Sequence, residues 1–205
     1  MSEFSAIHQS TLETYQANAH AWDQQRHKGL FEQAWLDRFT ACLSERARVL
    51  DVGCGTGEPI ARYLIEQGLS VSGLDAAPAM VDLCRNRFPG HDWQVMDMRQ
   101  LSLDHRLDGI VAWDSFFHLN QTEQRAVLAL FGQHLNPGGA LLTTIGDGDG
   151  EVLGKVNGQD VYHASLHPDE YTEILTDVGF ANIEIKLWDP DCAEHCVLLA
   201  SGLQF

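Results

Sequence analysis

The residues of this chain best placed to do chemistry are a cluster of glycines, the aspartates that close its apolar runs, and two histidines. In Asp51-Val52-Gly53-Cys54-Gly55-Thr56-Gly57 the glycines stand at alternate positions directly after an apolar run. Glycine lets a backbone turn sharply and lets a ligand approach without meeting a Cβ. A helix expected to begin at Glu58-Pro59 would offer N–H groups and a partial positive charge suited to a carboxylate or phosphate. The dinucleotide fingerprint G-x-G-x-x-G needs glycine where this chain has Glu58, so the spacing departs from it. Asp75 ends a second apolar run about 20 residues past the loop. A carboxylate there can accept both hydroxyl protons of a ribose, or it can cap the helix expected from Pro78. Asp97 and Asp114 close two further runs. His118 and His163 each follow an element expected to end near the site, and either could take a proton or be a structural histidine.

Other chemistries fit less well. An EF-hand loop starting at Asp147 would need glycine at its sixth place and glutamate at its twelfth, where the chain has Val152 and Gly158. In Asp191-Cys192-Ala193-Glu194-His195-Cys196 the last two residues would point to opposite faces of a strand, so no metal centre is expected. Cys54 has no base beside it in sequence and reads as a packing residue.

The elements that must position these groups alternate regularly. Arg48–Val52, Ser70–Asp75, His91–Met98, Asp108–Asp114 and Ala140–Ile145 read as strands, with helical patterns between them. Asn120-Gln121-Thr122-Glu123 resembles a capping box opening a helix to about His134, which Asn136-Pro137-Gly138-Gly139 ends. Such alternation predicts a doubly wound parallel sheet, with ligands bound beyond the carboxyl ends of the strands. The chemistry-bearing aspartates all fall at those ends. Upstream, Ser5–Ala21 reads as a helix followed by Trp22 to Arg26, and Leu30–Leu43 as an amphipathic helix. The first is polar, with Tyr15, His20, Trp22, Arg26 and His27, and reads either as a flap over a ligand or as a surface helix. Residues 146–166 predict a glycine-rich turn and a small hairpin able to act as a lid. A helix from Pro168 to Gly179 and two strands, Ile183–Trp188 and Cys196–Ala200, complete the chain.

With 205 residues, the chain suits a single domain over 1–205, with 1–46 as a helical cap. A formal charge of −16 and the lack of a basic run argue against a nucleic-acid substrate. No apolar stretch approaches the roughly 18–20 residues that span a bilayer, and the N-terminus lacks a signal-peptide pattern. Five irregularly spaced cysteines read as reduced thiols, which suggests the cytoplasm.

From Arg48 to Ala200 the order of motifs resembles the class I S-adenosylmethionine (SAM)-dependent methyltransferases. The resemblance rests on Asp51-x-Gly53-x-Gly55-x-Gly57, Asp75, Asp97-Met98, Asn136-Pro137-Gly138-Gly139 and the terminal strand pair. It implies an α/β Rossmann-like sheet of seven strands, five parallel plus a terminal antiparallel pair, with helices on both faces. Within the family, Trp113-Asp114-Ser115-Phe116-Phe117-His118-Leu119 and Tyr162-His163-Ala164-Ser165-Leu166 look like compact bacterial enzymes acting on small molecules. The implied cofactor is SAM, which is converted to S-adenosylhomocysteine (SAH). Its expected binding set begins with Tyr15, Trp22 and Arg26, the last toward the SAM carboxylate, and continues with Asp51, Gly53, Gly55 and Gly57. Asp75, Ala76 and Met80 follow, then Asp97 and Met98 at the adenine, and Trp113 and Asp114. The Asn/Asp-Pro-Pro-Tyr/Phe motif of methylases that act on nucleic-acid and protein amino groups is replaced by Asp114-Ser115-Phe116-Phe117, which argues against those substrates. A SAM-binding protein without turnover and a nucleotide-dependent oxidoreductase are the alternatives.

Overall fold

The computed structural model describes residues 3–26 and 28–204, so His27 lies outside the described residues. Five strands run parallel: β1 (Arg48–Val52), β2 (Ser70–Asp75), β3 (Asp92–Val95), β4 (Leu107–Ala112) and β5 (Leu135–Ile145). Near the C-terminus, β8 (Phe180–Asp189) and β9 (His195–Leu203) add an antiparallel pair. The sheet order is β3-β2-β1-β4-β5-β9-β8, and β9 alone runs against the others. Strand order reverses between β1 and β4, where a crevice opens beyond the carboxyl ends.

Helices cover both faces because the central strands are apolar on both sides. Residues 49–52 and 109–112 are all buried. On one face α2 (Gln33–Ala41) and α3 (Ile60–Glu66) pack Trp35, Phe39 and Leu64 against Val49 and Val111. On the other, α5 (Gln121–His134) and α6 (Pro168–Val178) pack Phe131, Tyr171 and Leu175 against Ile110 and Leu141. The capping box of α5 forms as expected: the Glu123 N–H donates to the Asn120 side chain and the Asn120 N–H donates to Glu123. Gly179 ends α6 with φ +112°.

Several boundaries differ from the sequence reading. The first helix, α1, runs without a break over Glu3–Gln25, so Trp22 stands on it. β3 stops at Val95, because the Asp97 side chain accepts from the Arg99 N–H and starts a single 3-10 turn at Met98–Gln100. Asn136-Pro137-Gly138-Gly139 does not lie between helix and strand. β5 begins at Leu135, which pairs with Leu107, and the register shifts over this segment before Ala140 pairs with Gly109. α3 begins at Ile60, later than Glu58-Pro59, and is only 7 residues long.

Residues 150–165 form a separate two-stranded sheet, β6 (Gly150–Val156) and β7 (Gln159–Ser165). Asn157 and Gly158 both have positive φ at its turn, the backbone that tight two-residue hairpins favour. Its base is anchored by buried Gln124, whose side-chain amide donates to the carbonyls of Leu119 and Ala164. α1 lies across the hairpin: the Tyr162 N–H donates to Thr11 Oγ1 at 3.0 Å, and Asn157 and Gln159 bond to Asn18. The same helix reaches α4 (Pro78–Arg87) through a bond from the Ala79 N–H to Gln16 and an apolar cluster of Ala19, Trp22, Ala77 and Met80. α1 therefore roofs the crevice from the hairpin to α4.

Candidate active site

Under that roof lies a cavity of about 360 Å³, within the range of small-ligand sites. Its floor is the turn after β1. Gly53 has φ +68°, and a Cβ there would stand 2.3 Å from the Ser115 Cβ. Ser115 in turn donates to the Val52 carbonyl at 2.7 Å, which joins the turns that follow β1 and β4. The loop's own N–H groups are used internally: those of Gly53 and Cys54 donate to Leu74 O and that of Gly57 to Cys54 O. The Gly55 N–H donates to Asp75 Oδ2 at 2.9 Å. The loop thus spends the N–H groups of Gly53, Cys54 and Gly55 on β2 and that of Gly57 on its own turn, and α3 begins beyond it.

Asp75 resolves its two readings into one geometry. Besides Gly55, it accepts the Ala77 N–H at 2.8 Å, and its carboxylate still faces the cavity. The N-cap of α4 is Ala77, not Asp75. Burial pushes the Asp75 carboxyl above its usual range, and the two N–H bonds moderate the rise. Asp51 is 3% exposed; burial first, and the neighbouring Asp75 second, raise it to about 7. No cation pairs with either among the described residues. Across the cavity, burial would raise Asp97, but side-chain and backbone bonds from Arg99 outweigh it and hold the carboxyl low.

The second end of the cavity carries Tyr15, Trp22, Arg26, Trp113, Asp114 and His118. The Arg26 guanidinium lies 2.8 Å from Glu32 and 3.6 Å from Asp114. Asp114, at φ +50°, donates its N–H to Thr144 Oγ1 at 2.8 Å. His118 Nδ1 lies 2.9 Å from the Tyr162 carbonyl, which only accepts, so Nδ1 carries the proton. His118 Nε2 therefore accepts from the Tyr15 hydroxyl at 2.8 Å. Burial, reinforced by His163, lowers His118 to about 4, so the ring is neutral near pH 7. Burial raises the Tyr15 phenol well above its usual value, and it stays protonated.

Of the expected residues, Ala76, Met80, Met98 and Gly55 also line the cavity, and Gly57 and His163 do not. Gly57 is a turn residue, φ +76°, with no room for a Cβ against Phe88. His163 packs behind His118, with ring centroids 4.9 Å apart, and against Phe117 at 4.5 Å. Phe116 is fully buried in the core and forms no wall to the cavity.

Three features escaped the sequence reading. Glu32 is fully buried and its Oε2 has no hydrogen-bond partner. His195, weighed only as a metal ligand, sits 3.1 Å from Asp114 and stacks on Trp113. Asp23 accepts the Thr56 hydroxyl and, on both carboxylate oxygens, Arg87 Nη2, while Arg87 Nη1 donates to the Thr56 carbonyl, which latches α1 to the glycine loop. Only the proximity of Arg26 to Glu32 in sequence could have signalled any of these. Among the described residues no His/Cys/Asp/Glu group is arranged to hold a metal, and no helix is long and apolar enough to cross a membrane.

Comparison with known proteins finds a family match over part of the chain. Residues 49–139 match the family described as methyltransferase domain. An O-methyltransferase of Pyrenophora dematioidea is 28% identical over 148 residues, 66% of this chain and 55% of that protein. A dTDP-3-amino-3,4,6-trideoxy-alpha-D-glucopyranose N,N-dimethyltransferase of Streptomyces venezuelae is 33% identical over 100 residues, 48% of this chain and 42% of that protein. The chain thus spans about half the length of the curated relatives it matches. Among solved structures, a SAM-bound amino pentose methyltransferase of Micromonospora echinaspora superposes with a TM-score of 0.69 at 23% identity, covering 91% of this chain and 96% of that one. The Burkholderia thailandensis 1,6-didemethyltoxoflavin N1-methyltransferase, solved with its substrate and SAH, gives 0.71 at 21%, covering 98% and 90%. The chain thus carries a methyltransferase-domain match over residues 49–139, on a seven-stranded fold shared with solved methyltransferases.

Proposed function

We propose that this protein transfers the methyl group of SAM to a small-molecule acceptor by direct displacement. The observation that carries the reading is the pair of buried carboxylates, Asp51 and Asp75, facing a cavity at the strand-order switch without a cation beside them. Such a pair suits a ligand that brings positive charge and a ribose. A pyrophosphate suits it poorly, because the loop has already donated the N–H groups that would cradle one. That disfavours the dinucleotide alternative.

The residues present fit SAM, which when bound supplies a methyl on a positively charged sulfur that leaves without activation. Asp75 accepts the ribose hydroxyls, Asp97 meets the adenine amino group and Arg26 meets the carboxylate. Asp51 faces the positive amino-acid end. Tyr15 and Trp22, carried by α1, cover the cavity and exclude water, and alignment in such a site is worth about 7–11 kcal/mol. Residues 146–166 close the acceptor side and, through the Tyr162 carbonyl, hold His118 with Nε2 directed to Tyr15. Isothermal calorimetry with SAH, followed by incubation with methyl-labelled SAM and a metabolite extract, tests the reading. Binding and a labelled product are expected; binding without any product would favour a sensor, and neither would sink the assignment.

Asp51 makes the affinity depend on pH in a stated direction. Its pKa of about 7 lies above the usual carboxylate value, so in the free protein it is neutral below pH 7 and charged above. The ammonium at the amino-acid end of SAM and SAH, which Asp51 faces, favours the charged form. The SAH dissociation constant should therefore be flat above about pH 8 and rise toward about tenfold per unit below pH 7. Asp51→Asn should remove this slope in calorimetry from pH 5.5 to 8.5. The same raised pKa stabilises the free fold fully below the unfolded carboxylate value, and that contribution fades as pH rises through 7.

A further inference from the structure

The cavity end assigned to the cofactor carboxylate presents two opposite charges, Arg26 and Asp114, and only the first can serve an anion. The Arg26 guanidinium makes its full bond to buried Glu32 at 2.8 Å, while Asp114 Oδ2 stands off at 3.6 Å, beyond hydrogen-bond range. Among the described residues, Arg26 Nε and Nη1 have no hydrogen-bond partner. The side chain keeps donors for a ligand only while Asp114 does not claim them.

What occupies Asp114 is His195, which lies outside the cavity lining. Its Nε2 is 3.1 Å from Asp114 Oδ1, and its Nδ1 faces the carbonyls of Cys192 at 2.9 Å and Ala193 at 3.2 Å. Carboxylates and carbonyls only accept, so both ring nitrogens carry protons. Burial opposes that charge, but the bonds to Asp114, Cys192 and Ala193 outweigh it and raise the ring above its ordinary value. The ring packs against Phe31 and Trp113, with centroids 5.2 and 5.7 Å away.

The backbone is strained to deliver this contact from both sides. Ala193 and Glu194 precede the ring at φ +49° and +58°, and Asp114 stands at +50°, left-handed conformations that side chains disfavour. Such strain persists where surrounding structure over-determines a working geometry. Here buried Asp189 pins the turn: it accepts from Trp35 Nε1 at 2.7 Å and from the Asp191 N–H at 3.1 Å, and its carbonyl accepts the Glu194 N–H at 2.9 Å.

Resting on the methyltransferase reading, we propose that His195 is a positioning residue for SAM: by occupying Asp114, it reserves Arg26 for the carboxylate of the cofactor. Without the ring, Asp114 closes on Arg26 and takes the donors the ligand needs. Its uncompensated charge also repels the ligand carboxylate. Adenosine recognition, at Asp75 and Asp97, is untouched.

Calorimetry with two ligands tests this: SAH, and methylthioadenosine, which has the adenosine and sulfur of SAH but no amino-acid end. His195→Phe keeps a ring against Phe31 and Trp113 and donates nothing to Asp114. It should weaken SAH by roughly 10- to 100-fold, the worth of one hydrogen bond to a charged group, and leave methylthioadenosine unchanged. An unchanged or tighter SAH affinity overturns the inference. So does an equal loss for both ligands, which is what a merely structural histidine would give. In an Asp114→Asn background His195→Phe should cost nothing further, and a second loss of the same size overturns a role exerted through Asp114. If the phenylalanine variant does not fold, His195→Gln carries the same comparison, because it loses the charge and keeps an N–H toward Asp114; SAH alone should then weaken. Failure of the unaltered protein to bind SAH would instead remove the methyltransferase reading, and the inference with it.

Discussion

Asp75→Ala is expected to bind SAH at least about 100-fold more weakly than the unaltered protein while still unfolding cooperatively. The carboxylate accepts N–H bonds from Gly55 and Ala77 and is placed to accept two ribose hydroxyls. Hydrogen bonds to a charged group are worth about 1.5–3 kcal/mol each, and two lost to the ligand amount to a factor on the order of 10² or more. The cost to the free fold is smaller, because the mutation also removes an anion that burial disfavours. Calorimetry with SAH set beside a thermal melt separates the two effects. Affinity within tenfold of the unaltered protein would remove Asp75 from the ribose role.

Gly53→Ala carries the second large effect, and here fold and site fail together. An added Cβ would lie 2.3 Å from Ser115 Cβ and 2.7 Å from its Oγ, at a backbone angle of +68°. The left-handed conformation costs a residue with a side chain about 1–2 kcal/mol, and overpacking a filled site about 1–3 kcal/mol more. Relief would push away Ser115 and break its bond to Val52 O, which joins the two sides of the switch point. A loss of roughly 2–5 kcal/mol in urea unfolding is expected, with SAH binding reduced below detection. A variant that melts within 1 kcal/mol of the original, an ordinary surface-substitution effect, and still binds would show that the turn has slack the structure does not display.

The parallel sheet and most of the cavity lining were legible in the sequence, because local patterns determine them. A strand followed by glycines at alternate places can only turn back, and acids at strand ends must gather where those ends gather. The capping box of α5 and the Gly179 stop of α6 are equally local. What could not be read depended on partners remote in the chain. His195 meets Asp114 across 81 positions only because β9 lies beside β5. Asp23 meets Arg87 across 64 because α1 folds back over α4. Which of the glycine loop's N–H groups remain open was out of reach for a related reason: it depends on the Leu74 carbonyl and the Asp75 side chain of the neighbouring strand. His163 shares the hairpin with Tyr162, yet strand alternation turns its ring to the back of His118 while the Tyr162 backbone faces His118 Nδ1.

The place of β9 in the sheet also sets an order on biosynthesis. It is made after every other strand of this sheet, yet it lies between β5 and β8. Until it emerges, β5 presents an unpaired edge along Leu141–Ile145, the kind of surface through which chains stick to one another. The nascent protein can therefore assemble its roof, loop and carboxylates while still lacking both its closing strand and the His195 ring beside Asp114. Premature termination within the final strand would yield an aggregation-prone product, whereas a fault in the distal hairpin, whose ladder pairs only with itself, would leave the main sheet intact.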